Sequence, residues 1–185
     1  MAALELSEAR DVEYGAAFAL GLLGDSSQSL ALANNLERRF PEDTTVRFSY
    51  LPALRGLSAL NRGDPSKAID LLEASLPYYL AQTGIGFFGF FGNLYPAYMR
   101  GEAYLAARQG AEAAREFQMI LDHRGIVFAD PIGALAHLQL GRAFALSGDK
   151  SKAKAAYEDF LSLWKDADPD IAILKQAKAE YAKLR

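Results

Sequence analysis

The sequence predicts an all-α protein built as a short array of stacked helix pairs. Three observations lead there. The first is a repeated pattern: Gly101, Ala103, Tyr104, Ala113 and Phe117 recur at the same spacing as Gly141, Ala143, Phe144, Ala153 and Tyr157. A third copy begins at Gly56, keeps Ala68 in phase and places Leu72 at the last aromatic position, and a fainter one begins at Ala17. The second is a turn, because Gly24-Asp25, Gly63-Asp64 and Gly148-Asp149 each fall seven residues after a start. The third is the period: starts at 17, 56, 101 and 141 lie 39, 45 and 40 residues apart. One helix pair cannot bury its apolar face alone, so a period in this range marks stacked units that share a continuous core.

Each period divides into two helices. The predicted first helices cover 7–23, 43–62, 93–108 and 131–147, and the second helices 26–39, 65–76, 111–122 and 150–163. The Gly-Asp turn supplies a permissive residue where one helix ends and a carboxylate cap where the next begins. Asp64-Pro65, Asp130-Pro131 and Asp168-Pro169 each read as an N-cap followed by a first-turn proline, which loses no hydrogen bond there. Pro52 lies inside a predicted helix, and the continued spacing of Val46, Tyr50 and Leu54 predicts a kink rather than a break. A last helix over 169–183 carries Ile171, Leu174, Ala177, Tyr181 and Leu184 on one stripe and Lys175, Lys178, Glu180 and Lys183 opposite. That is an amphipathic cap for the open end of an array.

Composition narrows the function. The 185 residues suffice for one domain, and a net charge of −3 supplies no basic field for nucleic acid. Cysteine is absent, which excludes a disulfide framework and thiolate chemistry. No apolar run approaches the ~18 residues of a membrane span, so direct membrane insertion is not expected. The first 30 residues lack the basic-then-apolar order of a signal peptide. Met1-Ala2-Ala3 opens directly into a helical pattern, the expectation for a segment of a longer protein.

The spacing of Gly101, Tyr104, Ala113 and Phe117, and of Gly141, Phe144, Ala153 and Tyr157, resembles the tetratricopeptide repeat. Pro41 falls at that repeat's terminal proline position. The resemblance is strongest over 95–164, whereas Arg55 and Arg100 stand where the family usually has Leu, and the periods exceed its 34 residues. It implies a right-handed superhelix of about four helix pairs, with repeats near 7–40, 43–80, 93–123 and 131–164 in a single domain spanning 1–185. It also implies a concave groove lined by the first helix of each pair. Carried over by position, the lining is Asp11, Tyr14, Phe18 and Gly21; Tyr50, Ala53, Leu57 and Leu60; Tyr95, Tyr98, Glu102 and Leu105; and Leu135, Leu138, Arg142 and Ala145. The family's carboxylate clamp needs Lys, Asn and further basic residues where this chain has Tyr14, Phe18, Tyr95 and Met99. Recognition of an acidic tail is therefore not expected.

The strings 94–107, 120–125, 130–143 and 163–170 resemble the C-terminal region of acidobacterial multidomain proteins. In those, a serine/threonine protein kinase or a winged-helix regulator precedes the array. That resemblance implies an interaction or sensing module of a signalling protein in the cytoplasm, or in the periplasm if a membrane span precedes it.

Motifs for chemistry are few. Gly84-Ile85-Gly86-Phe87-Phe88-Gly89 matches a phosphate-binding glycine pattern, but no strand pattern surrounds it, and the kinase lysine, H-R-D and D-F-G segments are absent. His123 and His137 have no second ligand at metal spacing, and no nucleophile elbow exists. Lys150, Lys152 and Lys154 read as a solvated helix face. Residues 77–96 depart from the repeat with four Gly and with Phe87, Phe88, Phe90 and Phe91, a candidate adhesive loop that covers its own groove or joins two copies as a homodimer. The reading is thus a non-catalytic module without a cofactor that binds protein or peptide through an aromatic groove. Two other readings stand beside it: a fragment of a kinase whose ATP site lies outside the chain, and a small-ligand sensor.

Overall fold

The computed structural model describes residues 2–81, 94–127 and 130–184, and those residues form helices and turns with no strand. After a short α1 (Ala2–Leu6) come α2 (Arg10–Leu22) and α3 (Ser26–Arg39), then α4 (Leu51–Asn61) and α5 (Pro65–Leu72). α6 (Tyr95–Ala106) and α7 (Gly110–Asp122) follow, with a one-turn α8 (Arg124–Val127). α9 (Ile132–Leu146), α10 (Lys150–Leu163) and the terminal α11 (Ala172–Ala182) complete the chain.

Each helix packs on its predecessor: α3 on α2, α4 on α3, α5 on α4, α6 on α5, α7 on α6, α9 on α7 and α10 on α9. The first helices of successive pairs also meet, α2 on α4, α4 on α6 and α6 on α9. That double set of contacts makes two layers, with the core between them and along the seams. A single cluster runs from Tyr14 in α2 to Ala156 in α10. A smaller one, with Leu138, Tyr157, Phe160, Leu174 and Ala177, fixes α11.

The turns explain the pairing. Gly24, Gly63 and Gly148 have φ of 86°, 74° and 82°, the left-handed region that a side chain disfavours. The next residue caps the second helix: Asp25, Asp64 and Asp149 accept from the backbone N–H of Gln28, Lys67 and Lys152, each at 3.0 Å. The third pair lacks this device. Arg108 adopts φ 60° itself, and Gln109 makes no side-chain cap.

Several boundaries move from the expected positions for physical reasons. The second helix of the second pair ends at Leu72 and continues as a tighter 3₁₀ segment, Glu73–Tyr78, that accommodates Pro77. Asp130 bonds Ile132 N–H at 3.1 Å, so α9 starts one residue later than expected. Asp168 is not a helix cap. Its carboxylate accepts from Asp170 N–H at 2.8 Å in a local turn, and α11 begins only after Ile171. At Pro52 the expected kink is a π-helical turn, Val46–Tyr50, placed immediately before α4. Leu51 N–H bonds Val46 C=O, five residues back. A proline has no N–H for the residue four back, and its ring clashes with that carbonyl in α geometry, so the wider turn sits where it relieves both. Val46, Tyr50 and Leu54 all stay buried across it.

Candidate protein-interaction face

The predicted groove residues fall into two groups. Tyr14, Phe18, Tyr50, Leu57, Tyr98 and Leu138 are buried, each 8% exposed or less. Tyr14 stacks on Tyr50 with centroids 3.7 Å apart and planes 2° from parallel, which ties α2 to the π-helical turn that leads into α4. Phe18 meets Tyr95 edge-on at 4.8 Å, joining α2 to α6, and Tyr98 meets Phe117 edge-on at 5.6 Å. The Tyr14–Tyr50 and Phe18–Tyr95 contacts form the seam between repeats, because large side chains on neighbouring first helices reach each other before they reach solvent, whereas Tyr98–Phe117 packs α6 on α7 within one pair. Burial keeps them from presenting an open aromatic floor. Tyr95, Glu102 and Arg142, by contrast, stay partly exposed.

Glu102 and Arg142 belong to a polar row. Gln139 donates its Nε2 to Tyr98 Oη at 3.2 Å and to Glu102 Oε1. Arg142 donates Nη1 to Gln139 Oε1 at 3.2 Å, and its Nε and Nη2 grip both oxygens of Glu180, each at 2.9 Å. Tyr157 Oη donates to Glu180 Oε2 at 2.8 Å. The row thus crosses from α6 through α9 to α11. Burial raises the Glu102 pKa above the ordinary carboxylate value, although Tyr98 and Arg142 act against that rise. The groove expected from the sequence includes Tyr98, Glu102 and Arg142 of this row. It omits Gln139 and Glu180, whose partners lie 37 and 38 residues away and leave no local pattern.

At the other end, Tyr50 Oη donates to Asp11 Oδ1 at 2.9 Å, and Arg10 bridges Asp11 and Asp43 at 2.7 Å each. Tyr95 Oη donates to Asp130 Oδ1 at 3.0 Å. Among the described residues the Tyr14 hydroxyl is buried without a hydrogen-bond partner.

The described residues contain no group of three His, Asp or Glu side chains that could hold a metal ion. His123 Nδ1 lies 2.7 Å from Met119 C=O at the end of α7, a local structural contact. No described helix is long and apolar enough to cross a membrane. The glycine pattern at 84–89 and the Phe87, Phe88, Phe90 and Phe91 loop lie outside the described residues.

With this geometry in place, comparison with known proteins shows that residues 135–167 match the tetratricopeptide repeat family model. The matched segment holds Gly141, Phe144, Ala153 and Tyr157. No curated protein and no solved structure matches the chain. The all-helical, paired architecture agrees with that repeat's fold. The chain therefore carries, at 135–167, a segment similar to the tetratricopeptide repeat, whose members are generally non-catalytic modules that bind proteins or peptides.

Proposed function

We propose that the chain is one repeat domain that binds a partner protein or peptide along the face formed by α2, α4, α6 and α9. The observation that carries this reading is the row Glu102–Gln139–Arg142, in which Glu102 and Arg142 are partly exposed on either side of a buried Gln139, hydrogen-bonded on a base of interlocked rings. Such a base holds polar contacts in place without a conformational cost on binding. Tyr14, Phe18, Tyr50, Leu57, Tyr98 and Leu138 then act as the rigid support, and Tyr95, Glu102 and Arg142 touch the partner. The resemblance of 94–107 and 130–143 to acidobacterial signalling proteins supports a wider context: a non-catalytic module of a bacterial signalling protein, in the cytoplasm, with any kinase chemistry in another domain.

A photo-crosslinking amino acid placed at position 102, and separately at Lys154 on the opposite layer, tests the face. Crosslinks to a peptide or protein ligand are expected at 102 and not at 154, and Arg142→Ala should reduce them at least five-fold. Crosslinks confined to 154 would overturn the assignment. The isolated chain is expected to show no ATP binding in calorimetry, and micromolar affinity for ATP would return the kinase reading.

A further inference from the structure

A cavity of about 470 Å³ opens at the edge of the fourth helix pair, away from the face above. That volume lies within the range of roughly 300–1,000 Å³ typical of small-molecule sites. Leu121 at the end of α7, Val127 in α8, and Leu163 and Trp164 at the end of α10 give it apolar walls. Arg124 and His137 supply its polar groups. Leu163 is 60% exposed at the lip of the cavity.

His137 is the informative group. Its side chain is 9% exposed, yet among the described residues neither ring nitrogen makes a hydrogen bond. The nearest carboxylate oxygen, on Asp159, is 3.6 Å from Nδ1, and that side chain is 64% exposed. The ring therefore faces one exposed carboxylate and also lines the cavity. Arg124 has no ion-pair partner among the described residues, and its charge bears on His137. Asp130 also lines the cavity, but its Oδ1 already accepts from Tyr95 Oη and Ile132 N–H. Arg124 therefore offers a positive charge to this cavity, beside the His137 imidazole and an indole wall.

We propose that this cavity binds a carboxylate carried on an aromatic or branched aliphatic body. The carboxylate pairs with Arg124 and takes a hydrogen bond from His137, and the body packs on Trp164 and Leu163. Two sources present that chemistry: a free small acid, and the C-terminal carboxylate of a peptide that ends in an apolar residue.

Trp164 is the chain's only tryptophan, so its fluorescence reports on the site directly. The full chain is titrated with 3-phenylpropionate, with 3-phenylpropionamide, with phenethylamine, and with Ala-Ala-Phe bearing a free or an amidated C-terminus. A saturable fluorescence change is expected with the acid, at least ten-fold weaker with the amide and absent with the amine. Arg124→Gln should remove the preference for acid over amide, and Arg124→Lys should retain part of it. Proton NMR should show the His137 ring signals, and not those of His123, moving as the acid binds. A free-ended peptide that binds tighter than 3-phenylpropionate identifies the source as a peptide terminus; the reverse order identifies a small acid. Equal response to acid and amide, no saturable change with any carboxylate, or an unaltered preference in Arg124→Gln would overturn the proposal. Crosslinking at position 102 is a separate readout, so failure here leaves the α2–α4–α6–α9 reading standing, and the converse holds.

Discussion

The ring of Phe117 lies directly on the bare Cα of Gly101: a Cβ placed there would come within 2.5 Å of Phe117 Cζ. Gly141 stands in the same relation to Tyr157 at 2.8 Å, and Gly56 to Leu72 at 2.9 Å. The sixteen-residue spacing in the sequence is therefore a packing rule. The first helix of a pair omits a side chain where the second helix inserts its largest one.

Gly101→Ala is accordingly expected to destabilise the protein by about 1–2 kcal/mol, because overpacking a fixed ring outweighs the gain in helix propensity. Urea unfolding measures it. Adding Phe117→Leu to Gly101→Ala should recover part of the loss, a coupling that distant sites do not show. Gly125→Ala meets nothing within 4 Å and should be near neutral.

The α6–α7 turn is the weakest of the four. Arg108 holds φ 60° where the other turns have Gly, and Gln109 stands where they have a capping Asp. Arg108→Gly should stabilise by about 1 kcal/mol by removing the left-handed penalty. Gln109→Asp should add about 1 kcal/mol by capping α7. Thermal melting of the single and double variants checks both, and a fall in melting temperature in either single variant would refute the turn argument.

Those turns mark where sequence reasoning succeeds and where it stops. Gly24, Gly63 and Gly148 are legible because each is followed by Asp, two local signals that agree. The Ala107-Arg108-Gln109 turn is legible only from the period, since its residues carry neither signal. Asp168-Pro169 looks like Asp64-Pro65, but Asp70 and the rest of α5 follow at once, whereas a turn through Asp170 and Ile171 precedes α11. The groove positions expected from the sequence fall on α2, α4, α6 and α9 and on the turn before α4. Their burial was not legible, because it depends on how closely α2, α4 and α6 approach, and Tyr14 meets Tyr50 across 36 residues of chain.

Glu102 should make stability depend on pH. Burial raises its pKa, so the folded state binds a proton more readily than the unfolded one. A raised carboxyl contributes stability that is complete below the unfolded value and is lost as the pH rises through the folded value. Glu102→Gln keeps an oxygen to accept from Gln139 while removing the charge. The variant should gain stability relative to the parent at pH 7, and the gain should vanish near pH 4. Chemical denaturation at both values measures this; an unchanged difference between them would mean that Arg142 already neutralises Glu102.

The clamp on α11 predicts the opposite sign. Burial alone would raise the Glu180 pKa, but hydrogen bonds from Arg142 and Tyr157 outweigh it and hold the group below its usual value. A depressed carboxyl stabilises the fold fully above the unfolded value and loses that contribution as the pH falls through the folded one. Besides this clamp and the Tyr181 Oη bond to Glu158, α11 is held by a small cluster in which only Leu174 and Ala177 of its own residues are fully buried. Elements with few buried apolar contacts open first. Hydrogen exchange at pH 7 should therefore show the α11 amides opening before those of α10, and Glu180→Gln should speed α11 exchange while leaving α4 unchanged. Because the Glu180 side chain is a third exposed, its loss should cost about 1 kcal/mol rather than the larger figure for a buried charged pair. Equal protection of α11 and α10 in the parent chain would mean that the apolar cluster, and not the Arg142–Glu180 pair, seats the terminal helix.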